Sequence, residues 1–184
     1  YMETSVARKL CDLDISYSCN DEEMEESIEK IEQRLNIELD EIQKEAVKKT
    51  VQNGLVVITG GPGTGKTTVA RIIGEVLYQK GIIAEKKFIE ASRSDLVAGY
   101  VGQTALKTRE VLESALGGVL FIDEAYSLNS DSQNDFGLEA INEILKFMED
   151  HRKDMVIIFA GYTKEMNEFL KQNSGLASRI PHTF

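Results

Sequence analysis

The sequence predicts an α/β fold in which a parallel β-sheet carries helices on both faces. Two observations lead there. Short, almost wholly apolar runs rich in β-branched residues, of which Leu55-Val56-Val57-Ile58-Thr59 is the clearest, read as strands buried on both sides. After that run, strand-like and helix-like segments alternate, and such alternation builds right-handed crossovers between parallel strands. Further strand candidates lie at Lys87–Ala91, Gly118–Asp123 and Met155–Ala160, and helix candidates start near Lys66, Thr104, Phe136 and Thr163.

A helical segment is expected ahead of this body, dividing the chain into an acidic N-terminal part, 1–54, and a core, 55–184. Met24, Ile28, Ile31 and Leu35 recur at helical spacing behind an acidic first turn, as the helix dipole favours, with Asn20 or Asp21 as the cap. Asp40 can cap a second helix that turns Ile42, Ala46 and Val47 inward and ends near Asn53-Gly54. Most of the formal net charge of −10 sits in residues 1–54, which argues against a broad nucleic-acid-binding face, because that affinity rests on Lys and Arg neutralising phosphates. The acidic run 21–26 reads as a solvated face. No apolar stretch approaches the roughly 20 residues of a membrane-spanning helix, and the expected location is cytoplasmic. Cys11 and Cys19 read as ordinary thiols, since one pair specifies neither a metal site nor a disulfide framework. His151 and His182 are isolated and read as surface or packing residues.

The segment Gly60-Gly61-Pro62-Gly63-Thr64-Gly65-Lys66-Thr67, followed by Thr68, matches the phosphate-binding pattern G-x-x-x-x-G-K-[ST] between a strand and a helix. Glycines let backbone N–H groups turn inward around phosphate oxygens, and the following helix aims its positive end at the same anion. Lys66 would reach the β- and γ-phosphates of ATP, and Thr67 would place its hydroxyl on Mg²⁺. The fold is therefore that of a P-loop NTPase.

Hydrolysis needs more than binding. Val119-Leu120-Phe121-Ile122-Asp123-Glu124 is a buried-strand pattern ending in adjacent carboxylates. Asp123 would support Mg²⁺, while Glu124 would orient and deprotonate the water that attacks the γ-phosphate. The presence of both argues against a regulator that binds ATP without hydrolysing it.

Further along, Gly60–Thr68, Asp95–Thr104, Ala115–Leu128, Met148–Arg152, Ala160–Tyr162 and Ser174–Arg179 together resemble the AAA+ core of the red-type Rubisco activase and stage V sporulation protein K group. The resemblance spans about 55–184. It implies a five-stranded parallel sheet and a ring, usually hexameric, with ATP between neighbouring subunits. It places Tyr100 and Val101 on a pore loop that grips a polypeptide, and it offers Arg179 as an arginine finger that acts on the adjacent subunit's nucleotide. At the sensor position after the fourth strand this chain has Tyr162 beside Thr163, where many such proteins place Asn or Thr. A helical lid would follow the last strand in that group, and the sequence ends at Phe184, before one.

The lead-in is similar to something else. Glu3–Leu10 and Leu39–Val47, followed by the P-loop, resemble the approach to the nucleotide site in RecD-like superfamily 1 helicases. That resemblance makes Gln43 a candidate adenine reader, because an amide can donate and accept along that edge together; the alternative is a solvent-facing helix residue. Two functions follow: a protein-remodelling AAA+ motor, or a DNA helicase motor fragment using the same ATP site. The missing later helicase motifs and the acidic lead-in favour the first.

Overall fold

The computed structural model describes residues 21–41, 43–45, 47, 55–100, 102–129, 136–151 and 154–177. Four strands, β1 (Leu55–Thr59), β2 (Phe88–Ala91), β3 (Val119–Ile122) and β4 (Val156–Gly161), form a sheet in the order β1-β4-β3-β2, and every pairing is parallel. Five strands were expected; among the described residues the sheet has four, and residues 178–184 lie outside the description.

The strands alternate their side chains between two cores. Val56, Ile58, Val119, Phe121, Val156, Ile158 and Ala160 face one cluster, while Val57, Leu120, Ile122, Ile157 and Phe159 face the other. Both sides are apolar, which is why these strands read as continuous apolar runs. The first core is covered by α1 (Asp21–Leu35) and α2 (Lys66–Gln79), and the second by α4 (Thr104–Ser114), α5 (Gly137–Asp150) and α6 (Thr163–Gln172). Short helices α3 (Arg93–Leu96) and α7 (Ser174–Ala177) complete the set. Gly137 begins α5 against the Leu128 carbonyl, where a Cβ would overlap that oxygen. Among the described residues no helix is long and apolar enough to cross a membrane.

Met24, Ile28 and Ile31 of the predicted α1 stripe are buried in the first core, and the side chain of Leu35 lies outside the description. A helical turn follows through residues 41, 43–45 and 47, with Val47 fully buried. It is capped reciprocally, the Gln43 N–H donating to Asp40 Oδ1 at 2.8 Å and the Asp40 N–H to Gln43 Oε1 at 3.0 Å. The expected roles of Asn20, Ile42, Ala46 and Asn53-Gly54, and the two cysteines, fall outside the described residues. His151 stacks on Phe147, with centroids 4.3 Å apart, and meets Asp154 through Nδ1, a packing role like the one expected.

One ionic cluster fixes the acidic helix to the core. Glu75 on α2 accepts from Arg34 of α1 at 3.1 Å and from Lys86 at 2.6 Å. Burial alone would raise its pKa, but the hydrogen bonds and charges of Lys86 and Arg34 outweigh that and hold it below the ordinary 4.5. A depressed folded value contributes stability above the ordinary pKa and loses it as pH falls through the folded one. The stability of Glu75→Gln in thermal melts should therefore lie below wild type near neutral pH by about 1 kcal/mol, the scale of ion pairs whose two cations are about half-exposed. The gap should close below pH 4.5; a gap independent of pH would remove the ionic explanation.

Candidate functional site

The phosphate loop and the two carboxylates are far apart in sequence and share one crevice. β1 and β3 flank β4, so the residues that follow their C-terminal ends emerge side by side, the usual place for a ligand in an open parallel sheet. The first loop residue is tied to the central strand, the Gly60 N–H donating to the Gly161 carbonyl at 3.2 Å. A cavity of about 450 Å³ results, lined by Pro62, Gly63, Thr64, Gly65, Lys66, Thr67, Thr68, Asp123, Glu124, Gly161 and Tyr162. That volume lies within the range of small-ligand sites.

The loop has the conformation its glycines permit. Gly63 and Gly65 have φ of 73° and 74°, in the left-handed region where a side chain is strained. Gly60 is covered by Thr64, whose hydroxyl donates to the Gly61 carbonyl at 2.9 Å. Lys66 Nζ donates to the carbonyls of Gly60 and Gly61 at 3.0 and 2.9 Å, bonds a phosphate oxygen could replace without the ammonium leaving the cavity. It also lies 5.2 Å from the centroid of the Tyr162 ring, within cation–π reach.

Asp123 is half-buried, its N–H bonded to the Ala91 carbonyl, and its Oδ1 accepts from the Glu124 N–H at 2.9 Å. The carboxylate and the Thr67 hydroxyl line the same cavity, and these hard oxygen donors suit Mg²⁺. Glu124 is exposed and sits at φ 48°, ψ 44°, a left-handed conformation rare outside glycine.

The remaining candidates divide. Gln43 reaches the loop, its Nε2 donating to the Thr64 carbonyl at 3.3 Å while its Oε1 is held by the Asp40 N–H. Both ends of the amide are thus engaged within the protein, and pairing with an adenine edge would require exchanging these bonds. Tyr100 is 74% exposed, away from the cavity, on a loop rooted at both ends: the Ala98 N–H donates to the buried Thr104 hydroxyl, and Lys107 Nζ donates to the carbonyls of Ser94 and Val97. Asp95 fixes the entry to that loop by accepting from the Ser92 hydroxyl and N–H, which holds its carboxyl below the ordinary range. Val101 and Arg179 lie outside the described residues. Thr163 begins α6 on the exposed surface, so of the sensor pair Tyr162 alone lines the cavity.

Sequence reasoning missed Tyr126. Its ring stacks on Tyr162 at 6.0 Å between centroids, and burial, with the negative charge of nearby Glu124, pushes its phenol up to about 12. The available signal was a tyrosine two residues beyond a proposed catalytic carboxylate; its partner on another strand's end could not be read from spacing.

Comparison with known proteins places the chain in a family. The model of the ATPase family associated with various cellular activities (AAA) matches residues 56–183. The chain belongs to the AAA family. This AAA chain is 50% identical over 126 residues to stage V sporulation protein K of Bacillus subtilis (strain 168), covering 68% of the chain and 39% of that protein. It is 54% identical over 123 residues to the chloroplastic ribulose bisphosphate carboxylase/oxygenase activase of Cyanidioschyzon merolae (strain NIES-3377 / 10D), covering 66% of the chain and 42% of the relative. The AAA chain thus spans about two-fifths of the length of these relatives. Among solved structures, the FIGL-1 AAA domain in complex with ADP superimposes with a TM-score of 0.51 at 24% identity, over 71% of this chain and 42% of that one, a likeness of fold. ATPase activity and nucleotide binding are the general properties of the family. The family match begins at residue 56, and these comparisons lend the helicase-like reading of the lead-in no support.

Proposed function

We propose that this chain is the ATP-hydrolysing core of a ring-forming motor that works on a polypeptide. The observation that carries the reading is the convergence of the Gly60–Thr68 loop, Asp123 and Glu124 on one cavity at the C-terminal ends of parallel strands. In this reading the N–H groups of Gly61, Gly63, Thr64 and Gly65 surround the phosphates, a loop position in which Pro62 has no N–H to offer. Lys66 exchanges two loop carbonyls for phosphate oxygens, and Glu124 accepts the proton of the attacking water. Thr67 and Asp123 would hold Mg²⁺, which supplies neutralisation of phosphate charge. Gln43 stands where it can brace the loop or turn to the base.

The rooted, exposed Tyr100 supports a polypeptide as the thing gripped, with Val101 beside it. The relative named as an activase acts, by that name, on an enzyme, which supports a protein substrate here. Arg179 completes a neighbour's site in a ring.

The test measures ATP turnover with an unfolded polypeptide and, separately, with single-stranded DNA. Polypeptide should stimulate turnover, and Tyr100→Ala should lose that stimulation while keeping the basal rate; stimulation by DNA alone would overturn the reading. Lys66→Ala should lose tight ATP binding in calorimetry, since its charge and its hydrogen bonds to phosphate disappear together. Unchanged affinity would move the nucleotide elsewhere.

A further inference from the structure

Two segments that the sequence keeps apart, the approach to the Tyr100 loop and the turn behind Glu124, are bonded to each other. The Asp123 N–H donates to the Ala91 carbonyl at 3.0 Å, and beyond that bond Arg93 Nη1 donates to the Ser127 carbonyl at 2.5 Å. Ser127 lies in the 3-10 turn Ala125–Leu128, and its own N–H donates to the Glu124 carbonyl at 2.7 Å. Glu124 stands at the head of that turn with φ 48° and ψ 44°, a conformation that a residue with a side chain keeps when its surroundings fix it. Arg93 is one of those surroundings. It is half-buried, and the start of α5 confines its guanidinium: a Cβ on Gly137 would overlap the Leu128 carbonyl oxygen and come within 2.9 Å of Arg93 Nη1.

The helix that begins at Arg93 leads directly to Tyr100. α3 ends at Leu96, whose side chain is buried, and two of its carbonyls are tied to α4, Ser94 accepting from Lys107 Nζ at 2.6 Å and Leu96 from Thr108 Oγ1 at 2.9 Å. The chain then runs out to Tyr100 and returns at Thr104, whose hydroxyl accepts from the Ala98 N–H at 3.1 Å. α3 and the start of α4 are thus bonded into one piece, with the Tyr100 loop between them and Arg93 at the end that meets the Glu124 turn.

We propose that Arg93 is the positioning residue of the Glu124 turn, and that through it the loading of the Tyr100 loop reaches the carboxylate. The inference rests on the roles proposed for Tyr100 and Glu124. A pull on the loop moves the piece that carries Arg93, and a hydrogen bond from a charged donor, the stronger kind, passes that movement to the Ser127 carbonyl. Because Ser127 is bonded to the backbone of Glu124, the turn re-aims the carboxylate as it shifts.

The experiment has two arms, both on the 184-residue chain. In the first, ATP turnover is measured with and without an unfolded polypeptide carrying a fluorescent label, whose binding is followed by anisotropy. Arg93→Ala should bind ATP and polypeptide within about twofold of wild type, yet its stimulation ratio should fall to about one; Tyr100→Ala should lose the binding as well. Stimulation that survives in Arg93→Ala would overturn the proposal, and so would loss of either binding, which makes Arg93 a general support of the fold. The second arm needs no nucleotide. Amide hydrogen exchange across residues 123–129 should be about tenfold faster in Arg93→Ala, the scale of one hydrogen bond from a charged group, with exchange in β3 unchanged. Unchanged exchange across 123–129, or equal loosening of β3, would overturn the positioning role. The two readings fail separately: a wild type that polypeptide does not stimulate removes the proposed function and the coupling with it, whereas wild-type-like stimulation of Arg93→Ala removes the coupling alone.

Discussion

Arg179→Ala subunits should bind ATP as wild type does and hydrolyse it about 10³–10⁵ times more slowly, the loss that follows removal of a finger acting in trans. A guanidinium that neutralises charge developing on the γ-phosphate acts only in the transition state, so binding is spared while turnover collapses. If the arginine serves a neighbour as proposed, wild-type activity per molecule should rise with protein concentration as subunits meet, and the variant should show no rise. Mixing sharpens the test. Combined with Glu124→Gln subunits, the Arg179→Ala protein should regain some hydrolysis, since a site with an intact Glu124 can then face an intact Arg179. Concentration-independent wild-type activity together with no rescue on mixing would count against both the ring and the finger.

Glu124→Gln should leave ATP affinity intact and lower turnover by about 10²–10⁴, the range of a lost general base. The amide keeps the size and one acceptor oxygen of the carboxylate but cannot take the proton of the attacking water. Glu124 lines the cavity, while its neighbour Asp123 spends one oxygen on the Glu124 N–H at 2.9 Å. Both line that cavity, and the assignment of one to the water and the other to the cation is the one made from their order at the end of β3. Calorimetry and single-turnover hydrolysis on the same preparation separate the two effects, and hydrolysis at the wild-type rate would move the base to another residue.

Each strand and each of the longer helices of the core lies where its local pattern put it. The strand at Leu55–Thr59 has the bounds its apolar run marked, and α2, α4 and α6 begin at Lys66, Thr104 and Thr163 as expected, with α5 starting one residue after Phe136. These are properties of contiguous residues: burial on both faces of a strand, helical spacing, and glycines that allow a left-handed loop. The same holds for the phosphate site, because one short segment brings its own donors, its own lysine and its own helix end.

What the sequence determined, then, is the α/β pattern and the two segments, Gly60–Thr68 and Asp123-Glu124, that this pattern brings to one candidate nucleotide cavity. The tertiary structure alone decided which distant side chains meet. Gln43 was read as facing either an adenine or solvent, and the packing of α1 and its following turn on the first core brings its amide to the Thr64 carbonyl. Tyr162 was read as a departure from a sensor pattern, and the adjacency of β4 to both β1 and β3 puts its ring between Lys66 and Tyr126. Neither contact follows from spacing. Each is set by strand order and by how closely two backbones approach at Gly161, and the sum of many packing interactions along the chain, rather than any local motif, fixes those two quantities.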